Sequence, residues 1–393
     1  MAKKITKKLK IAVAMSGGVD SAVAAKLLKD QGHEVIGIFL HFWKEEGRDG
    51  NFENKCCSTA ALLDARRVAD KIGISLYALN FAEIFKQQVV ADFLREYAAG
   101  RTPNPCIICN KRVKLGYLIK QAKKLGFDYV ATGHYVRNYE LPPSAKPACR
   151  TGRAPEDKRI TNLELKYKLL RAKDKNKDQS YFLYTFNQSE LKHLLFPLGD
   201  YTKGQVRRLA KKFKLPVAEK PESQEICFTG ERSHNEFLKR HLKLKPGLIK
   251  LLTPQPPFKS GARGVIGQHQ GLPLYTIGQR KGIAIGGSGP YYAAKMDYKK
   301  NILYVVNNHD NKLLYQDKLI AKNVNWLAGV APRRPLKCQA VIRYRHQPVK
   351  CLVAKISKNN YQVQFYEPQR AVTPGQSVVF YEGEQVLGGG IIG

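Results

Sequence analysis

The chain has 393 residues and carries 67 Lys and Arg against 32 Asp and Glu, a formal net charge of +35, with 43% hydrophobic residues. That length accommodates two or three domains with real cores, and the ordinary hydrophobic fraction excludes a disordered polyelectrolyte. So large a surplus of cations fits a polyanionic partner, nucleic acid first, and disfavours a small neutral one.

The basic opening MAKKITKKLK runs directly into the apolar Ile11–Met15, which is too short for the apolar region of a signal sequence and is followed by no small-residue cleavage site. No stretch approaches the ~20 apolar residues of a membrane span. A cytoplasmic location is expected. The eight cysteines, Cys56, Cys57, Cys106, Cys109, Cys149, Cys227, Cys338 and Cys351, lack a framework spacing. They read as thiols, metal ligands or catalysts before they read as disulfide staples.

The first third alternates apolar runs with helical patterns. Ile11–Met15 precedes a helix from about Ser21, Val35–Leu40 one from about Ser58, and Ser75–Leu79 one from about Ala82, with a further strand in Asp128–His134. Continuous apolar strands separated by helices imply an α/β fold, a doubly wound parallel sheet covered on both faces. Ligands bind such sheets beyond the carboxyl ends of the strands, where Met15, Leu40 and His134 deliver their loops. Leu141–Glu164, rich in Pro, Ser and charge, reads as an exposed insertion. From about Glu222 the glycines are spaced for turns. From about Pro290 short alternating segments (ILYVV, QAVIRYR, CLVAKI, YQVQFY, QSVVFY) read as an antiparallel β-barrel or sandwich. The expected domains are therefore 1–221, α/β with 141–164 inserted; 222–289, a small central domain; and 290–393, a C-terminal antiparallel β-barrel.

Residues Ser16–Ser21, SGGVDS, lie between a strand and a helix, so backbone N–H groups and the positive end of the helix dipole converge on a point suited to phosphate. Gly17 and Gly18 allow close backbone approach. The loop has no Walker lysine, which disfavours simple γ-phosphate transfer; the bland alternative is an ordinary glycine-rich turn. Cys106-Ile-Ile-Cys109 has a spacing that also suits half of a zinc or Fe–S site, but the adjacent Cys56 and Cys57 are poorly spaced to supply the other half. Cys56, Cys57, Cys149, Cys338 and Cys351 are most simply core or incidental thiols.

SGGVDS resembles the pyrophosphate-binding loop of the ATP pyrophosphatases, the PP-loop superfamily. Together with TPNPCIICN (Thr102–Asn110), ATGHYVR (Ala131–Arg137), KDQSYFL (Lys177–Leu183), SQEICF (Ser223–Phe228) and YTIGQRKGI (Tyr275–Ile283), it makes the chain similar over nearly its whole length to the bacterial tRNA-specific 2-thiouridylases. The resemblance implies adenylation of the C2 oxygen of a wobble uridine by ATP with Mg²⁺, followed by sulfur transfer from a cysteine persulfide to give 2-thiouridine, AMP and pyrophosphate. It assigns the persulfide to Cys227, and Cys109 is then the partner that either frees the sulfur through a disulfide or attacks the activated base; Lys111 and Arg112 beside Cys109 are expected to favour its thiolate. It places ATP against Ala14, Met15, Ser16, Gly17, Gly18, Val19, Asp20, Ser21, Leu40 and Gly133. Asp20 either caps the helix or helps hold Mg²⁺.

For tRNA the resemblance carries Asn104, Pro105 and Cys106 to the base pocket, and His134, Lys177, Asp178, Gln179, Arg343, Tyr344 and Gln376 to further contacts. Such an enzyme turns the base out of the anticodon stack. Arg207–Lys214 fits backbone contact or a solvated helix face, and Ile342–His346 interleaves Arg with Tyr as nucleic-acid surfaces do. Some relatives carry an aspartate at the position of Cys106, so general acid/base catalysis is left unassigned. A persulfide sulfur-relay protein is the expected donor, and a monomer is the simplest expectation. Two rivals remain at this point: another PP-loop adenylating enzyme, such as a tRNA lysine ligase or an amidotransferase-type synthetase, and a non-enzymatic zinc-bound RNA module.

Overall fold

The computed structural model describes residues 8–43, 45–47, 50–52, 58–141, 166–222, 226–229, 234–252, 264–283, 285 and 290–393. The expected insertion after Leu141, and Cys56, Cys57 and Cys149, lie outside the described residues.

Strand β1 (Lys10–Met15) is buried along Ile11–Met15 and runs parallel to β2 (Glu34–His41), with Ile11 opposite Val35 and Met15 opposite Phe39. Helix α1 (Val19–Asp30) connects them, and α2 (Thr59–Ile72) leads to β3 (Leu76–Asn80) on the outer edge of β2. Ser58 caps α2 by accepting from the Ala61 N–H at 3.1 Å, and Gly73 ends it in the left-handed region at φ 68°, where a residue without Cβ carries no strain. On the other side of β1 lies β4 (Tyr129–Thr132), followed by the short strand Leu194–Leu195. All five strands are parallel, as the uninterrupted apolar runs require.

Between β3 and β4 a nearly continuous helical run holds the C-x-x-C. It starts as α3 (Pro105–Ile108), opens to a π turn over Cys109–Lys114 and resumes as α4 (Gly116–Lys124). The wider turn brings the Lys111 carbonyl so close to Gly116 that a Cβ there would sit 1.9 Å from it, so glycine is the residue that admits the π turn. Cys109 is thus helical and not in a loop.

Two β layers follow. A four-stranded sheet has the order Val265–His269, Gly247–Leu251, Ile302–Val306, Tyr292–Asp297. The last two of these strands, expected in the barrel, join the central sheet instead, with Leu248 parallel to Ile302 and Leu251 to Val305. Period-two alternation reports which face a strand buries but not which neighbour it pairs with. The barrel proper consists of Tyr315–Trp326, Leu336–Val341, Val349–Lys355, Tyr361–Arg370, Ser377–Glu382 and Gln385–Ile392, all antiparallel and closed by pairing of the first with the last.

The barrel is fastened to the α/β domain at named points. The hairpin of Val136–Glu140 and Tyr167–Arg171 extends the barrel sheet through Leu170 and Gln385. Tyr181 donates to the Ser377 carbonyl at 2.9 Å, and the hydroxyls of Tyr184 and Ser377 lie 3.0 Å apart. Thr102 lies where all three parts meet: its N–H donates to the Pro374 carbonyl at 2.9 Å, its carbonyl accepts from Gln376 at 2.8 Å, and its hydroxyl is 3.2 Å from that of Thr276. The chain leading into the C-x-x-C is therefore held from the barrel and the central domain together.

Candidate active site

A cavity of about 510 Å³ opens beyond the carboxyl ends of β1, β2 and β4. Its floor is the turn Ser16–Ser21. Ser21 shapes that turn, its hydroxyl accepting from the Ser16 N–H at 3.2 Å and donating to the Gly18 carbonyl at 3.1 Å. Gly17 has φ 67°, and a Cβ on it would stand 2.2 Å from the Ala61 carbonyl at the start of α2. A Cβ on Gly133, after β4, would lie 2.7 Å from the backbone of Asp20 and Ser21. Both glycines are thus demanded by close approach of neighbouring backbone, and the turn and the first residues of α1, Val19, Asp20 and Ser21, line the cavity.

Gly18 is the N-cap of α1, with no side-chain cap, so Asp20 does not cap the helix. Its carboxylate instead accepts from Lys203 Nζ at 2.7 and 2.8 Å and from the Tyr135 hydroxyl at 2.8 Å. Lys203 opens helix α5 (Lys203–Lys212), whose capping box on Thr202 fixes the first turn. The same ammonium pairs with Glu222 Oε1 at 2.5 Å, and Glu222 Oε2 pairs with Lys177 at 2.5 Å. Burial alone would raise the Glu222 pKa, but hydrogen bonds from Lys177 and Lys203 outweigh it and hold it at about 2. Lys220 Nζ reaches the Gly17 carbonyl at 3.0 Å and Asp64 at 2.6 Å. Lys203, Lys220 and Glu222 were not legible in the sequence as site residues. The available signal was position, because Lys220-Pro221-Glu222 directly precedes SQEICF.

Cys109 and Cys227 both line this cavity, as does Cys106, and none of the three is in a disulfide. Cys227 starts a short helical turn whose next residue, Phe228, is 3% exposed and packs against Phe93, Phe237 and Phe85 at centroid distances of 5.1, 5.4 and 5.7 Å. Burying such a ring contributes roughly 2 to 3 kcal/mol, which ties the backbone at Cys227 to the α/β domain.

Lys111 and Arg112 point elsewhere than expected: Lys111 pairs with Glu190 at 2.6 Å, and Arg112 donates to Gln88 at 3.0 Å. Both lie in the π turn that begins at Cys109, and the partners they reach, Glu190 and Gln88, lie outside the cavity lining. Among the described residues, the cations lining the cavity are Lys114, Lys177, Lys203, Lys220 and Arg345.

Of the other expected residues, Ala14, Met15, Val19, Leu40, Pro105, His134, Gln179 and Tyr344 line the cavity. His134 is buried beside Thr132, 2.9 Å from its hydroxyl, and burial, with Lys114 adding, pushes its pKa down to about 3. Tyr344 crosses from the barrel to pack on Phe182 at 4.6 Å. Four residues lie outside the lining. Asn104 caps α3 through the Cys106 N–H at 3.2 Å. Asp178 is buried and accepts from Arg171, the Ala172 and Ser180 N–H groups and the Ser180 hydroxyl. Gln376 holds Thr102. Arg343 is half-buried beyond Tyr344, and burial, with Arg370 near it, lowers its pKa.

Among the described residues no group of three or more His, Cys, Asp or Glu is arranged to hold a metal ion, and no helix is long and apolar enough to cross a membrane.

Comparison with known proteins places this geometry in a family. Residues 9–231 match the family model described as a tRNA methyl transferase HUP domain, 235–307 the tRNA methyl transferase PRC-barrel domain and 316–392 the aminomethyltransferase beta-barrel domain. The tRNA-specific 2-thiouridylase MnmA of Tolumonas auensis is 44% identical over 98% of this chain and 96% of its own length, and that of Methylobacillus flagellatus 44% over 98% and 99%. The MnmA of Bacillus anthracis is 42% identical over 99% of this chain and 96% of its own. With such identity along the whole chain, three matched domain models and two cysteines lining one cavity with the glycine turn, the protein belongs to the tRNA-specific 2-thiouridylase family.

Proposed function

We propose that the protein is an ATP-dependent tRNA uridine 2-sulfurtransferase acting at C2 of a wobble uridine. The observation that carries this reading is the shared cavity: the glycine turn that suits a polyphosphate and the two thiols Cys109 and Cys227 line one space. ATP, when bound, supplies the AMP group that turns the C2 oxygen into a leaving group.

The residues divide the remaining work. The N–H groups around Ser16–Ser21 bind phosphate, and Lys203 and Lys220 add charge at the same turn. Asp20 is the residue that would hold Mg²⁺ arriving on the phosphates. Leu40 presents an apolar surface and Gly133 a bare backbone to the nucleoside. Pro105, Cys106, His134 and Tyr344 surround the place for an extruded base, and Lys177, Gln179 and Arg345 lie on the same wall. Cys227 carries the terminal sulfur as a persulfide; Cys109 attacks the inner sulfur, forming the Cys109–Cys227 disulfide and releasing the outer sulfur to C2 of the base. A persulfide relay protein is the donor that fits this chemistry.

The test is to incubate protein, ATP, tRNA and a persulfide source, digest the tRNA and weigh its nucleosides. The expected product is a uridine in which sulfur replaces oxygen, with stoichiometric AMP and pyrophosphate. Full activity in Cys227→Ser would instead favour a ligase-type PP-loop enzyme.

A further inference from the structure

We propose that Cys106 is a resolving thiol, which takes the disulfide over from Cys227 after each sulfur transfer. The inference rests on the sulfurtransferase reading above and adds a step to it. Three thiols line the one cavity, from two elements: Cys106 and Cys109 from the start of the helical run and Cys227 from the segment anchored by Phe228. Their exposure differs. Cys106 is exposed, whereas Cys109 and Cys227 are only partly so.

Residues three apart on a helix share a face, with Cβ atoms roughly 5 to 6 Å apart, so Cys106 lies beside Cys109 whatever occupies the rest of the cavity. Cys106 is the second residue of α3, so bringing the two sulfurs to bonding distance disturbs only a first turn, and the Asn104 cap holds that turn in place. The C-x-x-C is thus a dithiol with an exposed outer member and a partly buried inner member, both lining the cavity that Cys227 also lines.

The exchange balances as follows. The Cys106 thiolate attacks Cys109 Sγ of the Cys109–Cys227 disulfide. The Cys106–Cys109 bond forms, the Cys109–Cys227 bond breaks, and the electron pair leaves on Cys227 as its thiolate, with no net oxidation or reduction of the protein. Cys227 is then ready for the next persulfide while the disulfide sits at the exposed end of the pair. An external thiol reductant attacks Cys106 Sγ there and supplies the two electrons that complete the cycle.

The deciding experiment equilibrates the full-length protein in a glutathione redox buffer without ATP or tRNA, quenches it with acid, alkylates the thiols and maps the disulfides by mass. The expected principal disulfide is Cys106–Cys109, with Cys227 alkylated, and in Cys106→Ser it moves to Cys109–Cys227. A principal Cys109–Cys227 disulfide in the unsubstituted protein overturns the proposal. A second measurement compares the first turnover with later ones in the same glutathione buffer. Because Cys106 also lines the base pocket, the readout is the ratio of later to first turnover within each protein: in Cys106→Ser the later rate should fall about tenfold below that variant's own first turnover, a fall that the unsubstituted protein lacks; equal ratios overturn the proposal. If the unsubstituted protein makes no 2-thiouridine, the sulfurtransferase reading fails, while the disulfide map still decides the exchange.

Discussion

Lys220 Nζ donates to the carbonyl oxygen of Gly17 at 3.0 Å, joining a residue just before Glu222 to the second residue of the glycine turn Ser16–Ser21. The lysine is itself held by Asp64 on α2 at 2.6 Å, the helix whose Ala61 carbonyl confines Gly17 from the other side. Gly17→Ala therefore meets both a left-handed φ and a backbone clash. Pyrophosphate release should fall on the order of a hundredfold, because a misplaced turn misplaces the phosphates. Filter binding should find tRNA affinity nearly intact; equal loss of both would mean that the nucleotide and tRNA surfaces are not separate. Lys220→Ala should act in the same direction and less strongly.

On the proposed reading, Cys227→Ser removes the sulfur carrier and leaves the turn that holds ATP untouched. It should still release AMP and pyrophosphate in the presence of tRNA while forming no 2-thiouridine, and Cys109→Ser should do the same. Thiolation surviving in either variant, measured by nucleoside mass, would contradict the assigned roles.

Gln376 holds Thr102 rather than lining the cavity, so its effect on tRNA should act through the chain that leads to Cys106. Gln376→Ala should cost about 1 kcal/mol of stability, the worth of one ordinary hydrogen bond. It should also raise KM for tRNA with little change in KM for ATP. A variant with both constants raised alike would show that the clamp serves the whole site.

The buried imidazole of His134 makes stability depend on acid. Its pKa is about 3 in the folded chain against 6.5 for an ordinary histidine, so between those values the unfolded chain holds one proton more. The stability is complete above about pH 6.5 and falls as the pH drops toward 3, by up to about 1.4 kcal/mol per pH unit from this group. His134→Asn, neutral at every pH, should flatten that acid slope by one proton, as read from denaturant midpoints at pH 4 to 7. An unchanged slope would mean that the ring is reached by water.

Affinity for tRNA should fall steeply with salt, because each phosphate contact releases counterions. A loss of about a hundredfold or more between roughly 50 and 200 mM salt corresponds to several such contacts. A flat dependence would remove the basic surface as the docking face.

The helices expected from about Ser21, Ser58 and Ala82 begin at Val19, Thr59 and Ala82, and the first four strands match their apolar runs to within a residue or two at most ends. These features are local: an apolar run, a serine cap or a glycine after a strand acts over a few residues. The partners of the β segments after Pro290 were not legible, because alternation is the same in either sheet. Nor was the direction of Lys111 and Arg112, since their partners Glu190 and Gln88 lie 79 and 24 residues away in sequence.

The sequence by itself determined the parallel α/β sheet, the glycine turn after its central strand and the presence of thiols at Cys106, Cys109 and Cys227, since each follows from residue type and short-range spacing. Only the tertiary structure decided that Cys109 and Cys227 share a cavity, that Lys203, Lys220 and Glu222 belong to it and that Asp178 and Gln376 face away from it. Those relations join segments of chain far apart in sequence, and the packing that brings them together is a property of the whole core.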